Sequence, residues 1–209
     1  NIKYSADFYS GHLVFDCPGK HKITDLSSVE PKIIRNEKGL QISCKIITLM
    51  GSIIKKWEIN TFNGKLNLTY LLDWKEPTVG SLRLGYITLF PKVFIKKKLY
   101  YETHNGGKRI ENFQISDKVN FDHGQKVSSL VSANQAISAT EGIIKIGDPN
   151  KKITLKFDKS QASLIGLVSN LNIQKKMFTR LALSLREMDD TSKPSPIGKI
   201  RINLDISIS

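Results

Sequence analysis

The chain has 209 residues, of which 40% are hydrophobic and 24% are charged, a composition that is typical of globular proteins and excludes collagen-like, coiled-coil and disordered chains. No uninterrupted apolar run approaches the roughly 20 residues that cross a bilayer, so we expect no membrane among its partners. The net charge of +13 comes mainly from lysine, with six arginines among 32 basic residues, and because phosphate and base recognition favours arginine, we expect no nucleic acid either.

The dominant pattern along the chain is an alternation of apolar and polar residues, which is typical of half-buried β-strands. In chain order it predicts strands near residues 40–49, 57–59, 66–72, 82–90, 143–146, 153–157, 180–186 and 200–208. The last of these is the clearest, because Ile202 and Leu204 alternate with polar neighbours. The dipeptide Asn63-Gly64 is typical of a two-residue hairpin turn and predicts that the second and third strands pair.

No segment shows a sustained apolar period of 3.6 residues, which is the pattern of an amphipathic helix. The nearest candidate, residues 128–140, fits a helical turn and a strand followed by a loop equally well. Short strands separated by turn signals predict an all-β fold, a large two-sheet antiparallel β-sandwich, and we expect residues 1–209 to form a single domain because no linker divides them. Four large residues on the apolar phase are expected in its core, namely Trp57, Tyr70, Leu204 and Ile206.

The common catalytic and cofactor motifs are missing from the sequence. It contains no phosphate-binding glycine loop, no nucleophile elbow, no paired Cys-x-x-Cys and no His-Glu-x-x-His. We therefore assign no catalytic residue and expect no cofactor.

Polar and aromatic residues are concentrated in three segments, 100–107, 122–124 and 139–142. A histidine beside a carboxylate can exchange protons with a sugar near neutral pH, although the same segments also resemble surface turns. Two separated short patterns are weak support for a metal, and we predict none. The candidate ligand-binding residues of the three segments are Tyr101, Glu102, His104, Asp122, His123 and Glu141.

Trp74 is a seventh candidate ligand-binding residue. It lies in the loop-like segment 73–77, where an aromatic ring can stack on the C–H face of a sugar. Packing of the same ring against the core is the alternative.

Four runs of the sequence carry a family resemblance, namely Leu82–Pro91, Tyr101–Gly107, Ser138–Gly142 and Arg180–Thr191. With them, residues 80–196 resemble the C-terminal β-sandwich domain of α-mannosidase-like and family-57-type glycoside hydrolases, which has a galactose-mutarotase-like fold. In such hydrolases the catalytic carboxylates belong to a preceding barrel, for which we find no counterpart here. The resemblance therefore implies the C-terminal part of a longer enzyme, in keeping with a chain that starts at Asn1 without an initiator methionine. It implies two partners, a carbohydrate and the catalytic domain of the same polypeptide.

Three functions are compatible with these observations. The leading one is a non-catalytic β-sandwich domain of a carbohydrate-active enzyme, a glycoside hydrolase, which packs on the catalytic domain and contacts glycan. The first alternative is a sugar epimerase or mutarotase, with His104 or His123 as the acid and Glu102 or Glu141 as the base. The second is a surface module that binds a polyanion through its lysines, which are densest at residues 96–98, 151–152 and 175–176.

Overall fold

The computed structural model describes residues 11–90, 92–115, 135–173, 176–188 and 191–209. These ranges contain fifteen β-strands, and the one helical element within them is a single 3-10 turn at Lys96–Lys98. All the strand pairings among them are antiparallel. The predicted all-β class is confirmed.

Six strands form the smaller sheet. In spatial order they are β10 (Gln135–Ser138), β13 (Ile165–Ile173), β14 (Lys176–Arg186), β7 (Ser81–Leu89), β1 (Val14–Asp16) and β2 (Ile23–Thr24).

Nine strands form the larger sheet, which has the C-terminal strand β15 at its centre. In spatial order they are β3 (Lys32–Asn36), β4 (Gly39–Thr48), β5 (Gly51–Asn60), β6 (Leu66–Trp74), β15 (Gly198–Ile208), β12 (Lys152–Phe157), β11 (Ile143–Gly147), β8 (Tyr100–Thr103) and β9 (Glu111–Gln114).

The two sheets pack face to face around a common apolar core. Alternation along β6 directs Leu68 and Tyr70 inward, and both are 0% exposed. On β15, Leu204 does the same and lies against Gly85 of β7, where an added Cβ would come within 2.6 Å of its Cδ1 atom. Since Gly85 and Leu204 belong to different sheets, this close approach marks the centre of the sandwich. The predicted two-sheet antiparallel β-sandwich is confirmed.

A buried hydroxyl connects the two sheets through hydrogen bonds. The Tyr70 hydroxyl donates to the carbonyl of Gly11 at 2.7 Å and accepts the N–H of Gly85 at 3.2 Å. A buried tyrosine hydroxyl normally requires such partners, because leaving it unpaired away from water is costly.

The predicted core residues differ in depth. Tyr70 and Leu204 are fully buried, as predicted, whereas Trp57 and Ile206 are only partly buried. Trp57 lies on β5, close to the β3 edge of the wider sheet, and Ile206 lies near the end of β15. A nine-stranded sheet extends beyond a six-stranded one, so residues near its edges are covered incompletely.

Two local expectations are resolved by the structure. The connection between β5 and β6 spans residues 61–65 and is longer than the two-residue turn predicted from Asn63-Gly64. The side chain of Asn60 organises it by accepting the N–H groups of Phe62 and Asn63, an alternative turn closure that asparagine favours. Of residues 128–140, the described part contains the strand β10 rather than a helix.

Candidate functional site

Two of the candidate residues, His104 and Glu141, line one hollow just beyond the end of β8. The hollow is open to solvent and has a volume of about 560 Å³. It is lined by His104, Gly106, Gly107, Lys108, Glu141 and Ile143. The structure thus brings together the first and third of the polar segments identified in the sequence.

Thr140 holds these two segments together. Its N–H and its hydroxyl both donate to the carbonyl of His104, at 2.9 and 2.7 Å. The same hydroxyl accepts the N–H of Gly106 at 3.1 Å, and the N–H of Ser138 donates to the side chain of Asn105 at 3.2 Å. Four hydrogen bonds therefore fix the loop after β8 against the turn before β11.

The turn that carries Glu141 depends on Gly142. The N–H of Gly142 donates to the carbonyl of Ala139 at 3.0 Å, and its φ of +66° lies in the left-handed region that favours glycine. A Cβ at this position would also overlap the carbonyl oxygen of Phe157. Glycine is thus required by the backbone conformation and by the available space, and Glu141 is held at the rim of the hollow.

Glu141 is paired with a lysine that the sequence did not identify as part of the site. Its carboxylate lies 2.7 Å from Nζ of Lys159. The hydrogen bond and the charge of Lys159, together with the charge of His104, lower the pKa of Glu141 against an opposing effect of burial. A carboxylate with a lowered pKa accepts hydrogen bonds well but is a weaker base than an ordinary glutamate.

His104 contributes a polar atom without a partner. Its Nδ1 is buried and makes no hydrogen bond within the described part of the chain. Buried polar atoms usually have a partner, and an imidazole nitrogen can donate or accept according to its protonation. Nδ1 is thus withdrawn from the surface, and a ligand in the hollow would contact the remainder of the imidazole ring.

Glu102 lies outside this hollow, on the outer face of β8. Its carboxylate accepts hydrogen bonds from Asn112 at 2.9 Å and from Lys145 at 3.2 Å. Both partners are directly opposite in the sheet, Asn112 on β9 and Lys145 on β11. Glu102 therefore connects three neighbouring strands across the surface of the sheet.

Trp74 and Tyr101 lie in the core instead of at a binding surface, and both are 0% exposed. Tyr101 precedes Glu102 on β8 and points to the opposite side, where its hydroxyl approaches the carbonyl of Ile137 at 3.5 Å. Trp74 ends β6 and packs edge-on against Phe15, with ring centroids 5.5 Å apart. Neither ring is available to a ligand at the surface, which corrects the expectation for these two residues.

Asp122 and His123 lie outside the described residues. Sequence reasoning also missed Lys108, which lines the hollow, and Lys159, which pairs with Glu141. Lys159 stands in a turn after β12 that Asp158 closes by accepting the N–H of Ser160 at 2.8 Å. The sequence signals this turn, but the pairing of β11 with β12 is what places Lys159 beside Glu141.

A second hollow of about 680 Å³ lies at the ends of β4, β5, β6 and β15. Part of its lining is a row of polar side chains that bond to one another, Gln41 to Glu58 at 3.4 Å and Asn67 to Asp205 at 2.6 Å. The sequence signal for this row is the polar phase of the alternating strands. Its polar lining residues are Asn36, Lys38, Gln41, Glu58, Asn60, Lys65, Asn67, Lys156, Asp205 and Ser207.

In the ranges that the structure describes, no group of three or more His, Cys, Asp and Glu side chains is placed to hold a metal ion. Nor does any helix among those residues have the length and apolar character needed to cross a bilayer.

No protein-family model and no curated protein sequence matches the chain. Among solved structures, it is similar to a proposed aldose 1-epimerase from Escherichia coli K12, with a TM-score of 0.46 and 11% identity over 94% of this chain and 78% of that one. It is also similar to a proposed mutarotase from Salmonella typhimurium, with a TM-score of 0.45 and 8% identity over 85% of this chain and 63% of that one. A third similar structure is a GH36 alpha-galactosidase from Geobacillus stearothermophilus in complex with raffinose, with a TM-score of 0.47 and 10% identity over 93% of this chain and 30% of that one. At such low identities, these likenesses concern the course of the chain and not its side chains.

Proposed function

We propose that the chain is a non-catalytic β-sandwich domain of a carbohydrate-active enzyme and binds a saccharide in the hollow between His104 and Glu141. The observation that carries the proposal is the meeting of the His104 imidazole and the Glu141 carboxylate, which is paired with Lys159, at one open hollow. Sugar hydroxyls both donate and accept hydrogen bonds, so a site of mixed donors and acceptors suits them. The resemblance of residues 80–196 to sandwich domains of glycoside hydrolases supports the same class of ligand.

The charges around the hollow favour binding over catalysis. Lys159 and His104 lower the pKa of Glu141, whereas a general base works best with a pKa near the operating pH. Glycoside hydrolysis generally uses two carboxylates roughly 5–10 Å apart, and Glu141 is the one carboxylate that lines the hollow among the described residues. We therefore assign the chemical step to a catalytic domain of the same polypeptide, on which this sandwich would pack.

A sugar epimerase or mutarotase is the second candidate. It is favoured by one observation, the presence of His104 and Glu141 at the same hollow, since such chemistry needs an acid and a base on one substrate. The finer resemblance to α-mannosidase-like and family-57-type hydrolases stays a prediction, and so does the single domain over residues 1–209.

Titration of the full chain with neutral oligosaccharides, followed by calorimetry and NMR chemical shifts, tests the proposal. We expect weak binding, with a Kd on the order of 1 mM, because an open hollow buries little of its ligand. His104→Ala and Glu141→Gln should abolish it, whereas His21→Ala and Glu37→Gln, which change exposed residues elsewhere, should not. Binding that survives the first pair of variants would exclude this hollow.

Polarimetry on the same variants separates the two candidates. We expect the unmodified chain to leave the rate of sugar mutarotation unchanged. A strong acceleration that either His104→Ala or Glu141→Gln abolishes would replace the accessory-domain proposal with the epimerase.

A further inference from the structure

Two lysine runs that are distant in the sequence meet at one end of the nine-stranded sheet. Lys96–Lys98 forms the 3-10 turn immediately before β8, and Lys151 and Lys152 follow the turn between β11 and β12. Gly147 of β11 pairs with the first residue of β8 on one side and with Lys152 on the other. We call Lys97, Lys98, Lys151 and Lys152 the basic cluster.

Asp148 fixes the two runs relative to each other. Its carboxylate accepts the N–H of Ile95 at 2.5 Å and the N–H groups of Asn150 and Lys151 at 2.8 Å each. Burial raises the pKa of Asp148, but the three hydrogen bonds and the charge of Lys151 outweigh it, so the pKa is lowered. Because Asp148 is only 1% exposed, its carboxylate organises the backbone beneath the basic cluster and is withdrawn from the surface.

The lysines of the basic cluster present positive charge that no ion pair among the described residues compensates. Lys97, Lys98 and Lys151 are exposed, and none of them takes part in an ion pair within the described ranges. Beside them, Val93 and Ile95 are each 41% exposed and add an apolar surface. The site therefore combines several exposed cations with aliphatic side chains.

We propose that the basic cluster binds an anionic polysaccharide whose sulfate or carboxylate groups repeat along its chain. Exposed ion pairs are individually weak, so a ligand gains affinity by engaging several lysines at once, as a repeating polyanion does. The aliphatic side chains of Val93 and Ile95 can contact the C–H faces of the sugar rings between the charges. The choice of a polysaccharide rests on the proposed carbohydrate function, whereas the anion site rests on the basic cluster itself.

Nucleic acid is the other polyanion to be distinguished. The basic cluster contains lysine and no arginine, and it therefore lacks the planar group that contacts base edges in a bidentate manner. This composition argues against sequence-specific recognition of nucleic acid, and the exposed Val93 and Ile95 favour a ligand with apolar C–H faces.

The experiment compares binding of the full chain to dextran sulfate and to uncharged dextran. We expect binding to dextran sulfate alone, weakening strongly between about 50 mM and about 200 mM salt as bound counterions compete. A triple variant, Lys97→Gln with Lys98→Gln and Lys151→Gln, should lose about tenfold in affinity or more. The matched control removes three exposed lysines outside the basic cluster, Lys20→Gln, Lys75→Gln and Lys193→Gln, and should lose less than about threefold.

Three results would overturn the proposal. The first two are equal affinities for dextran sulfate and uncharged dextran, and equal losses of affinity in the two triple variants. The third is a single-stranded oligonucleotide that binds through the basic cluster more tightly than dextran sulfate does. The last result would make the basic cluster a nucleic-acid site. Neutral oligosaccharides report separately on the His104 hollow, so failure of the proposed function is distinguishable from failure of the basic cluster. Binding of dextran sulfate should persist in His104→Ala.

Discussion

Lys55 and Asp25 form an ion pair inside the sandwich, with Nζ of Lys55 2.7 Å from a carboxylate oxygen of Asp25. The other oxygen accepts the N–H of Leu13 at 2.9 Å. The ammonium group also lies 5.3 Å from the ring centroid of Trp57 and 5.6 Å from that of Tyr70, within the range of favourable cation–π contacts. The charges are thus compensated by each other, by a backbone donor and by two aromatic faces.

Removing one partner of this pair should lower the free energy of unfolding far more than removing both. We expect Lys55→Met to lower the free energy of unfolding by about 3–5 kcal/mol, because it leaves the carboxylate of Asp25 buried without a counter-charge. Lys55→Met combined with Asp25→Asn should recover part of the loss, since an asparagine oxygen can still accept from Leu13. Urea unfolding of the unmodified chain, of Lys55→Met and of the double variant measures these free energies.

The neighbouring Lys56 provides the control, since it lies on the outer face of the same strand. Lys56→Met should change stability by less than about 0.5 kcal/mol. Equal effects of Lys55→Met and Lys56→Met would show that the buried pair does not stabilise the fold.

At the scale of single residues, the sequence predicts burial better than it predicts contacts. The alternation places Tyr70 and Leu204 in the core correctly, because a two-residue period is fixed by the backbone itself. The same alternation puts Lys55 on the inner face of β5, a sign of a buried charge that we did not use. Its partner Asp25 follows a short strand of the other sheet, and no local pattern indicates that the two residues meet.

At the scale of elements, three glycines around the candidate hollow differ in φ and in the room for an added Cβ. Alanine variants at these positions therefore separate the effect of backbone strain on stability from the effect of steric overlap. Gly142 has a positive φ and no room for a Cβ, whereas Gly106 has a φ of +89° with nothing within 4 Å of an added Cβ. Gly107 has an ordinary φ, and the nearest atom to an added Cβ is at 4.0 Å. We expect Gly142→Ala to cost more than about 2 kcal/mol and Gly106→Ala about 1 kcal/mol, since left-handed backbone is unfavourable for alanine. Gly107→Ala should be nearly neutral.

Urea unfolding of the three alanine variants measures this order. Gly142→Ala should in addition weaken saccharide binding, because it displaces the turn that carries Glu141. Three equal losses of stability would contradict the assigned roles of φ and of the Phe157 carbonyl.

Three of the predicted strands have one covered face and one face in contact with water. β6, β12 and β15 alternate because one side packs in the sandwich and the other faces water. β3 was missed since it lies at an open edge where both faces are wet, and Ile33 and Ile34 are 55% and 41% exposed. The segments of the candidate hollow could be named from their polar residues, but the hydrogen bonds of Thr140 that join them are non-local and leave no local signal.

At the scale of the whole molecule, two tyrosine hydroxyls are enclosed between the sheets. Burial raises the pKa of Tyr70 and of Tyr101, and the charge of Asp25 raises that of Tyr70 further. A raised pKa means that the folded protein holds these protons more firmly than the unfolded chain, whose tyrosines titrate near pH 10. The stabilisation is therefore fully present below about pH 10 and is lost as the pH rises above it.

Urea unfolding at about pH 8 and about pH 11 tests this alkaline loss of stability. Tyr101→Phe should reduce the pH dependence more than Tyr100→Phe, since Tyr100 is only partly buried. The same pH dependence in both variants would show that the buried hydroxyl of Tyr101 does not control it.

The two-sheet architecture follows from the number and spacing of short strands, but the assignment of strands to sheets does not. β7 directly follows β6 along the chain, yet it lies in the smaller sheet, where it pairs with β1 and β14. Each of these strands has an apolar inner face that fits either sheet. Their order is decided by the packing of the whole core, which is a property of the assembled molecule.

The central position of β15 has a consequence for biosynthesis. β15 pairs with β6 on one side and with β12 on the other, yet it leaves the ribosome after all the other fourteen strands. Until residue 198 and those after it have emerged, the nascent chain holds two incomplete half-sheets, and each ends in an unpaired strand with an apolar face. Open edges of this kind invite pairing with other chains. A translation pause shortly before residue 198 should therefore favour pairing of these open edges with other chains or their capture by a chaperone.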